Sequence, residues 1–600
     1  MKKLIPLLLV CALLFGCGSG AAEPVATVQT TEPAQAPSLT LDRADIPFAS
    51  RYQAETLIKL SDEGVDISGR NSLYVFLSDD IVYYEDRESY ESGNPYGEGE
   101  AWERHTEEEA KDHVVVNITA PGTYRVTGKL SAGQIRVDLG EDAYEDEKAV
   151  VELILEGVDI TCTVAPAILF RNVYECDGAW STDTAKADVD TSAAGANLIL
   201  EGQNNVSGSH VAKIYKDKDG EKKLWKQDGA IYSYMSMNVY GPGALVLNAD
   251  NEGLDTELHL TINGGDIVIR SGNDGINTNE DGVSVTTING GSVHIAAGLG
   301  AEGDGIDSNG YLVINGGIVV SSAHPASDAG LDSDLGSFIH GGTVIAMGSS
   351  MDWAESDSGQ VTMNLQFASY QAPDAAIAVT AEDGTLMFAY DPGADDVLGE
   401  NARRYQGMII SCGNLKQGDT YLVYSDDTII GGHTRGIFDP ASVTERSGGT
   451  QMAYTGTDAI RGPGGFGGMG GFGGQRPEGG GKGEGEMPSM PAGEMPDMSQ
   501  MPNMGQMPEG QEPPEGFDGG NWGGWGEGQM PSFPAGEMPD MENMPDMGQM
   551  PGGQGFPGGF GDMGGFGGMG GFGGQSGGEA STQFYMLDKV NFFTGLTPVQ

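Results

Sequence analysis

The chain of 600 residues holds 87 Asp and Glu against 31 Lys and Arg, a formal net charge of −56 spread along its whole length. That charge excludes nucleic acid and anionic lipid headgroups as favoured partners and makes cations obligatory ones. Length alone would suggest several ordinary domains, but internal repeats override that expectation.

The chain opens with Met1-Lys2-Lys3 and an apolar run, Leu4 to Phe15, too short to span a bilayer as a stable helix. Residues 1–17 therefore read as a signal peptide. Its end, Leu14-Phe15-Gly16-Cys17, resembles the lipobox of bacterial lipoproteins, which implies cleavage before Cys17 and acylation there; an ordinary signal peptide with a chance Cys is the alternative. The expectation is a lipid-anchored protein on the extracellular face of a bacterial membrane. Residues 18–40 mix Pro, Thr and Ala without apolar periodicity and read as a flexible tether, and 41–109 as an acidic lead-in. In an exported protein Cys162 and Cys176 form a candidate disulfide, with Cys412 left as a buried thiol.

Early strands are expected at Gly122–Gly128, Gly133–Val137, Val151–Gly157 and Leu198–Gly202. Between about 251 and 348 one unit recurs four times. The copies begin Asn251-Glu252-Gly253-Leu254-Asp255, Asn273-Asp274-Gly275-Ile276-Asn277, Gly303-Asp304-Gly305-Ile306-Asp307 and Asp328-Ala329-Gly330-Leu331-Asp332. Their turn glycines, Gly264, Gly290, Gly316 and Gly341, lie 25 or 26 residues apart. Short alternating apolar and polar segments between the glycines read as three strands per period with no helix. This predicts an all-β fold, a right-handed parallel β-helix (a solenoid) over 110–365; the Gly density excludes helical repeats, and a propeller needs a longer period. Residues 366–460 contain strands without the coil period and are expected to form a β cap.

In such a solenoid, equivalent residues stack one strand spacing apart, roughly 4.7–4.9 Å. Asp255, Asn277, Asp307 and Asp332 then form one column of oxygens, and Glu252, Asp274 and Asp304, with Asp328 one position off, form a second. Arg270 is the only Lys or Arg between 250 and 335, so the acids cannot be neutralised within the repeats. Oxygen ligands alone favour Ca2+ over zinc or copper. The alternative is that Asp and Asn simply suit these corners.

Residues 461–580 are Gly/Met/Pro-rich, cannot bury a core and are expected to be a disordered insert. Within it Met495, Met498, Met501, Met504 and Met507 recur every third residue, as do Met538 to Met550. On a polyproline II helix this spacing would align soft thioethers suited to Cu(I) or form an adhesive surface, but the preferred reading is a flexible repeat expansion within a surface loop. A C-terminal strand segment is expected at 581–600.

The Gly122–Gly128, Gly133–Val137, Val151–Ile160 and Pro166–Ile168 pieces, together with the Asp-Gly-Ile and Asn-Gly-Gly repeats, resemble secreted clostridial carbohydrate-binding proteins. These are calcium-binding parallel β-helices with a polysaccharide-lyase-like fold that bind cellulose and polygalacturonate. The resemblance covers roughly 110–350 and implies a polysaccharide ligand, acidic or from plant cell walls. The rival functions are a calcium-dependent polysaccharide lyase, which needs a Lys or Arg base beside the ion, and a structural surface adhesin. Within 227–402 only Arg270 could serve as that base, so no catalytic residue is assigned. Trp180, Trp225 and Trp353 are candidate sugar-stacking platforms.

Overall fold

The computed structural model describes residues 46–85, 103–178, 181–215, 224–326, 328–349, 352–425, 428–457 and 580–599. Cys17, the tether, Trp180 and the Met-rich insert except Ala580 lie outside the described residues, as does the Trp225 side chain. The chain divides into two units, 1–472 with 575–600, and 473–574; everything below concerns the first.

The described residues are almost wholly β, with large sheets of parallel strands; their α-helical content is a single capped turn, Glu107–Lys111. Through the repeats the chain visits three stacks of strands in rotation. One stack runs through Glu252–Thr256, Ile276–Thr278, Ile306–Ser308 and Leu331–Ser333, each pairing in parallel with the next. The second runs through Met237–Tyr240, Leu260–Ile262, Val285–Ile288, Tyr311–Ile314 and Gly336–Ile339. The third runs through Ala244–Ala249, Asp266–Ser271, Ser292–Ala296, Ile318–Ser322 and Thr343–Gly348.

In-register pairing places like residues on like. In the first stack Val116, Ile135, Ile168, Ile231, Leu254, Ile276, Ile306 and Leu331 form one continuous column, every member fully buried. These aliphatics join residues of the other two stacks in one hydrophobic cluster. The glycine before each of the last four, Leu254, Ile276, Ile306 and Leu331, is required by close approach rather than by torsion: a Cβ on Gly253 or Gly275 would collide with the backbone of the next repeat and with Ile269 or Ile295. The second glycine of each turn, by contrast, needs the left-handed region, with φ of 101°, 80°, 82° and 87° at Gly265, Gly291, Gly317 and Gly342.

The structure revises several expectations. Within the lead-in, Glu55–Leu60 joins the stack: it pairs in parallel with Gly122–Leu130 and buries Thr56, Ile58 and Leu60 on one face. The parallel pairing of the third stack ends at Thr343–Gly348, which pairs antiparallel with Tyr405–Ser411 and opens a second, mostly antiparallel region with its own core, while the second stack continues through a parallel bridge from Ser337 to Ala354. The C-terminal Val590–Pro598 enters that region beside Thr362–Gln371. Finally, Cys162 and Cys176 are not joined; all three described thiols are free. Cys162 points into the hydrophobic cluster, whereas Cys176 lies beside Glu175 and Ser236, so proximity in sequence did not bring the sulfurs together. Trp353 packs edge-on to Phe592, 6.0 Å between centroids, and closes the core instead of offering an open platform.

The inward column sets the stability of the repeats. Ile276→Ala is expected to cost about 2–5 kcal/mol in urea unfolding monitored by circular dichroism. A loss below about 1 kcal/mol would mean that this column is not the core.

Candidate metal centre

One residue after the aliphatic column, the same pairing builds an outward column: Asn117, Arg136, Leu169, Tyr232, Asp255, Asn277, Asp307 and Asp332. Its last four members are the predicted oxygens, in direct register. The second predicted column follows from the backbone bonds, in which Gly253 N–H donates to Asp274 O, Gly275 N–H to Asp304 O, and Gly305 N–H to Ala329 O. Glu252, Asp274 and Asp304 therefore stack, and the fourth place belongs to Ala329. Asp328 stands one residue earlier and accepts from the Gly303 N–H at 2.9 Å.

The columns are more enclosed than an outward face suggests. Asp255 is fully buried, Glu252 is 5% exposed, and Asn277 and Asp274 are nearly as enclosed; Asp304, Asp307 and Asp332 are partly exposed. Some oxygens have protein partners: Asn279 Nδ2 donates to Asp255 Oδ1 at 2.7 Å, and Asp304 N–H to Asp274 Oδ1 at 2.6 Å. Others do not. Glu252 Oε2, Asp255 Oδ2 and Asn277 Oδ1 are buried with no hydrogen-bond partner. An acceptor buried without a donor is costly, so three on adjacent repeats require a reason.

Asp228, Glu252 and Asp255 each offer an oxygen, and these oxygens lie within 4.8 Å of one another. Ligands of one calcium ion at roughly 2.3–2.6 Å can stand no further apart than about twice that distance, which this triad satisfies. Its chemistry is all oxygen, hard and anionic, with Asn277 one strand along. These residues fit a calcium ion.

Without a cation the electrostatics are adverse. Burial, then the neighbouring carboxylates, pushes the pKa values of Glu252, Asp255, Asp274 and Asp304 well above the carboxylate range. Burial and then Asp332 raise Asp307 to about 7. Asp332 reaches about 8 through burial and then its hydrogen bond with Asp352.

Asp228, Glu257 and Asp352 escaped the sequence reading. Asp228 precedes Gly229 as Asp274 precedes Gly275, a legible signal, but Ala230 adds a residue before the inward Ile231 and breaks the alignment. Glu257, which accepts from the Tyr232 hydroxyl, and Asp352, which accepts from the Ser333 N–H at 3.1 Å, come from connections outside the repeat period. Lys226, just upstream of the stretch in which Arg270 is the only Lys or Arg, has its Nζ 3.1 Å from Asp228 Oδ2.

A model of the family described as carbohydrate-binding domain-containing protein matches residues 112–427, which contain every residue of this centre. A curated relative of that description from Acetivibrio thermocellus is 31% identical over 157 residues, 26% of this chain and 45% of the relative, so the match spans less than half of that protein. Among solved structures, the polysaccharide lyase-like protein from C. thermocellum, studied as a gadolinium derivative, is 21% identical and covers 50% of this chain and 93% of its own, with a TM-score of 0.28. On the family match, which takes in more than half of its length, the chain belongs to the carbohydrate-binding domain-containing proteins.

Proposed function

We propose that the protein binds polysaccharide from a right-handed parallel β-helix whose acidic columns hold calcium, and that it is presented outside the cell by a lipid on Cys17. The observation that carries the calcium reading is the set of buried oxygens without a hydrogen-bond donor on Glu252 and Asp255 of one strand and Asn277 of the next. The β-helix reading rests on three stacks visited in rotation around one core. The polysaccharide reading is supported by the family's description as carbohydrate-binding, and the anchor rests on the Leu14-to-Cys17 pattern.

Asp228, Glu252 and Asp255 would hold one ion, with Asn277 as a neighbouring donor. The ion would supply the positive charge that lets adjacent repeats carry ionised acids. Toward Asp307 and Asp332 the column is partly exposed, so an ion there would keep an open side able to meet a uronate carboxylate.

A lyase reading has one observation in its favour, Lys226 beside Asp228. An adjacent carboxylate favours the ammonium form, however, which is the wrong state for a base. Incubation with polygalacturonate in calcium is expected to release no unsaturated uronates; their near-ultraviolet absorbance would establish cleavage.

The pH dependence is specific. Folding raises Asp307 and Asp332 from an ordinary 3.8 to about 7 and about 8, so the cation-free fold binds more protons than the unfolded chain between those limits. These two groups therefore contribute stability that is fully present below their ordinary carboxylate values and is lost as pH rises through that window. Thermal melts in chelator are expected to show a falling Tm from pH 5 to pH 8, and excess calcium to restore it most at pH 8. A Tm that rises with pH in chelator would contradict the assignment. Asp255→Asn, which removes a buried charge, is expected to raise the pH 8 chelator Tm while shrinking the calcium increment; loss of Tm in chelator with an intact increment would remove Asp255 from the centre. A glycan array in calcium tests the ligand class: polysaccharide probes are expected to bind, and no binding to any glycan would remove the carbohydrate reading.

A further inference from the structure

A groove of about 610 Å³ lies on the second stack, away from the acidic columns. Its floor is made of two outward columns side by side. One is Asn238, Thr261, Thr287, Val313 and Phe338, in register strand by strand. The other follows the same strands into the turns: Tyr240, Asn263, Asn289, Asn315 and His340. Residues 187–192 form a wall at one end, fastened by Thr191, whose hydroxyl lies 2.7 Å from both Asn238 Oδ1 and Thr261 Oγ1.

Three features define what fits. The asparagines form an amide ladder, with Asn289 Nδ2 donating to Asn263 Oδ1 at 2.9 Å and Asn315 Nδ2 to Asn289 Oδ1 at 2.8 Å. Each bond uses one N–H and one lone pair, which leaves Asn289 a further donor and acceptor for a ligand that both gives and takes hydrogen bonds, as a sugar hydroxyl does. Aromatic rings stand at the two ends. Tyr240 packs on Phe48 at 5.3 Å, and Phe338 stacks on His340 at 6.3 Å. Phe338 and Tyr240 are half-buried, and such rings offer faces to the C–H surface of a sugar. The lining includes Asp188, Asp190 and Asp357 and neither Lys nor Arg, with Arg51 behind the wall on the Ser192 carbonyl. A polyuronate would be repelled from these carboxylates.

The spacing sets the ligand's shape. The ladder repeats once per strand, roughly 4.8 Å, which is close to the length of one sugar residue in an extended β-linked chain. From Tyr240 to Phe338 the floor crosses five strands, about 19 Å in all. We infer that this groove is the glycan subsite and takes an extended, neutral polysaccharide lying across the strands, with one sugar over each repeat. The inference rests on the carbohydrate reading above and deepens it. An acidic sugar bridged by calcium would belong to the other stack.

The test is affinity electrophoresis of the full chain in calcium, in native gels containing hydroxyethyl cellulose, soluble starch or polygalacturonate. The wild-type chain is expected to be retarded most by hydroxyethyl cellulose, since starch is helical and polygalacturonate charged. Asn315→Ala and Phe338→Ala are each expected to weaken that retardation about tenfold, the scale of one lost ligand contact. Thr287→Trp, which fills the half-buried middle of the floor, is expected to abolish it. Unchanged calcium-dependent Tm values identify variants that remain folded. Retardation by hydroxyethyl cellulose that none of the three variants alters would overturn the groove and leave the carbohydrate reading standing. Preference for polygalacturonate or starch would overturn the ligand class. Retardation by none of the three, with no glycan bound on an array, would remove both readings.

Discussion

Parallel, in-register stacking is the constraint on which everything else in this protein depends, because it multiplies whatever one repeat places at a given position. An inward Ile becomes a column of buried aliphatics from Val116 to Leu331, and an outward Asp becomes a column of carboxylates. Apolar columns gain by repetition, since each side chain fills the space its neighbour leaves. Charged columns lose by it. Two carboxylates one strand apart repel by about 1 kcal/mol in water and by several times that at an effective dielectric of about 20.

The protein meets this cost differently along its length. Near the N-terminus the neutralising cations are its own. Glu156 and Glu201 stand in register, and Arg125 lies between them and Glu55, at 3.1, 2.5 and 2.8 Å. Lys129 pairs with Asp159 directly across the ladder at 2.8 Å. Further along, Arg435 from the C-terminal region reaches back to Asp266. Along the outward column Asp255, Asn277, Asp307 and Asp332 no such arginine is supplied among the described residues, and the acids are more deeply buried. A divalent ion with oxygen ligands suits that stretch as a guanidinium suits the earlier one.

Much of this was legible in the sequence because stacking turns spacing into geometry. Glycines at 264, 290, 316 and 341 announced the period, and the residue after each Gly-Ile or Gly-Leu pair lands in one column without a register slip. What escaped lies where the period fails. Asp228 is displaced by the extra Ala230, and Glu257 and Asp352 arrive from connections that no repeat predicts. Glu55–Leu60 was passed over as lead-in because a single alternating strand does not reveal what it pairs with. The free Cys162 and Cys176 show a different limit, since both sit in connections after strands, one turned into the core and the other beside Glu175, and distance along the chain does not set either direction. The asparagine turns were read as corners only; that three of them would join into a ladder along a groove became visible only with the second stack in place.

The central claim is that the buried acids exist to hold an ion. The most direct measurement is a crystal structure grown in calcium with anomalous scattering recorded. The account predicts an anomalous peak roughly 2.3–2.6 Å from carboxylate oxygens of Asp228, Glu252 and Asp255. No peak there, with the three carboxyls sharing protons at a pH above 8, would contradict it.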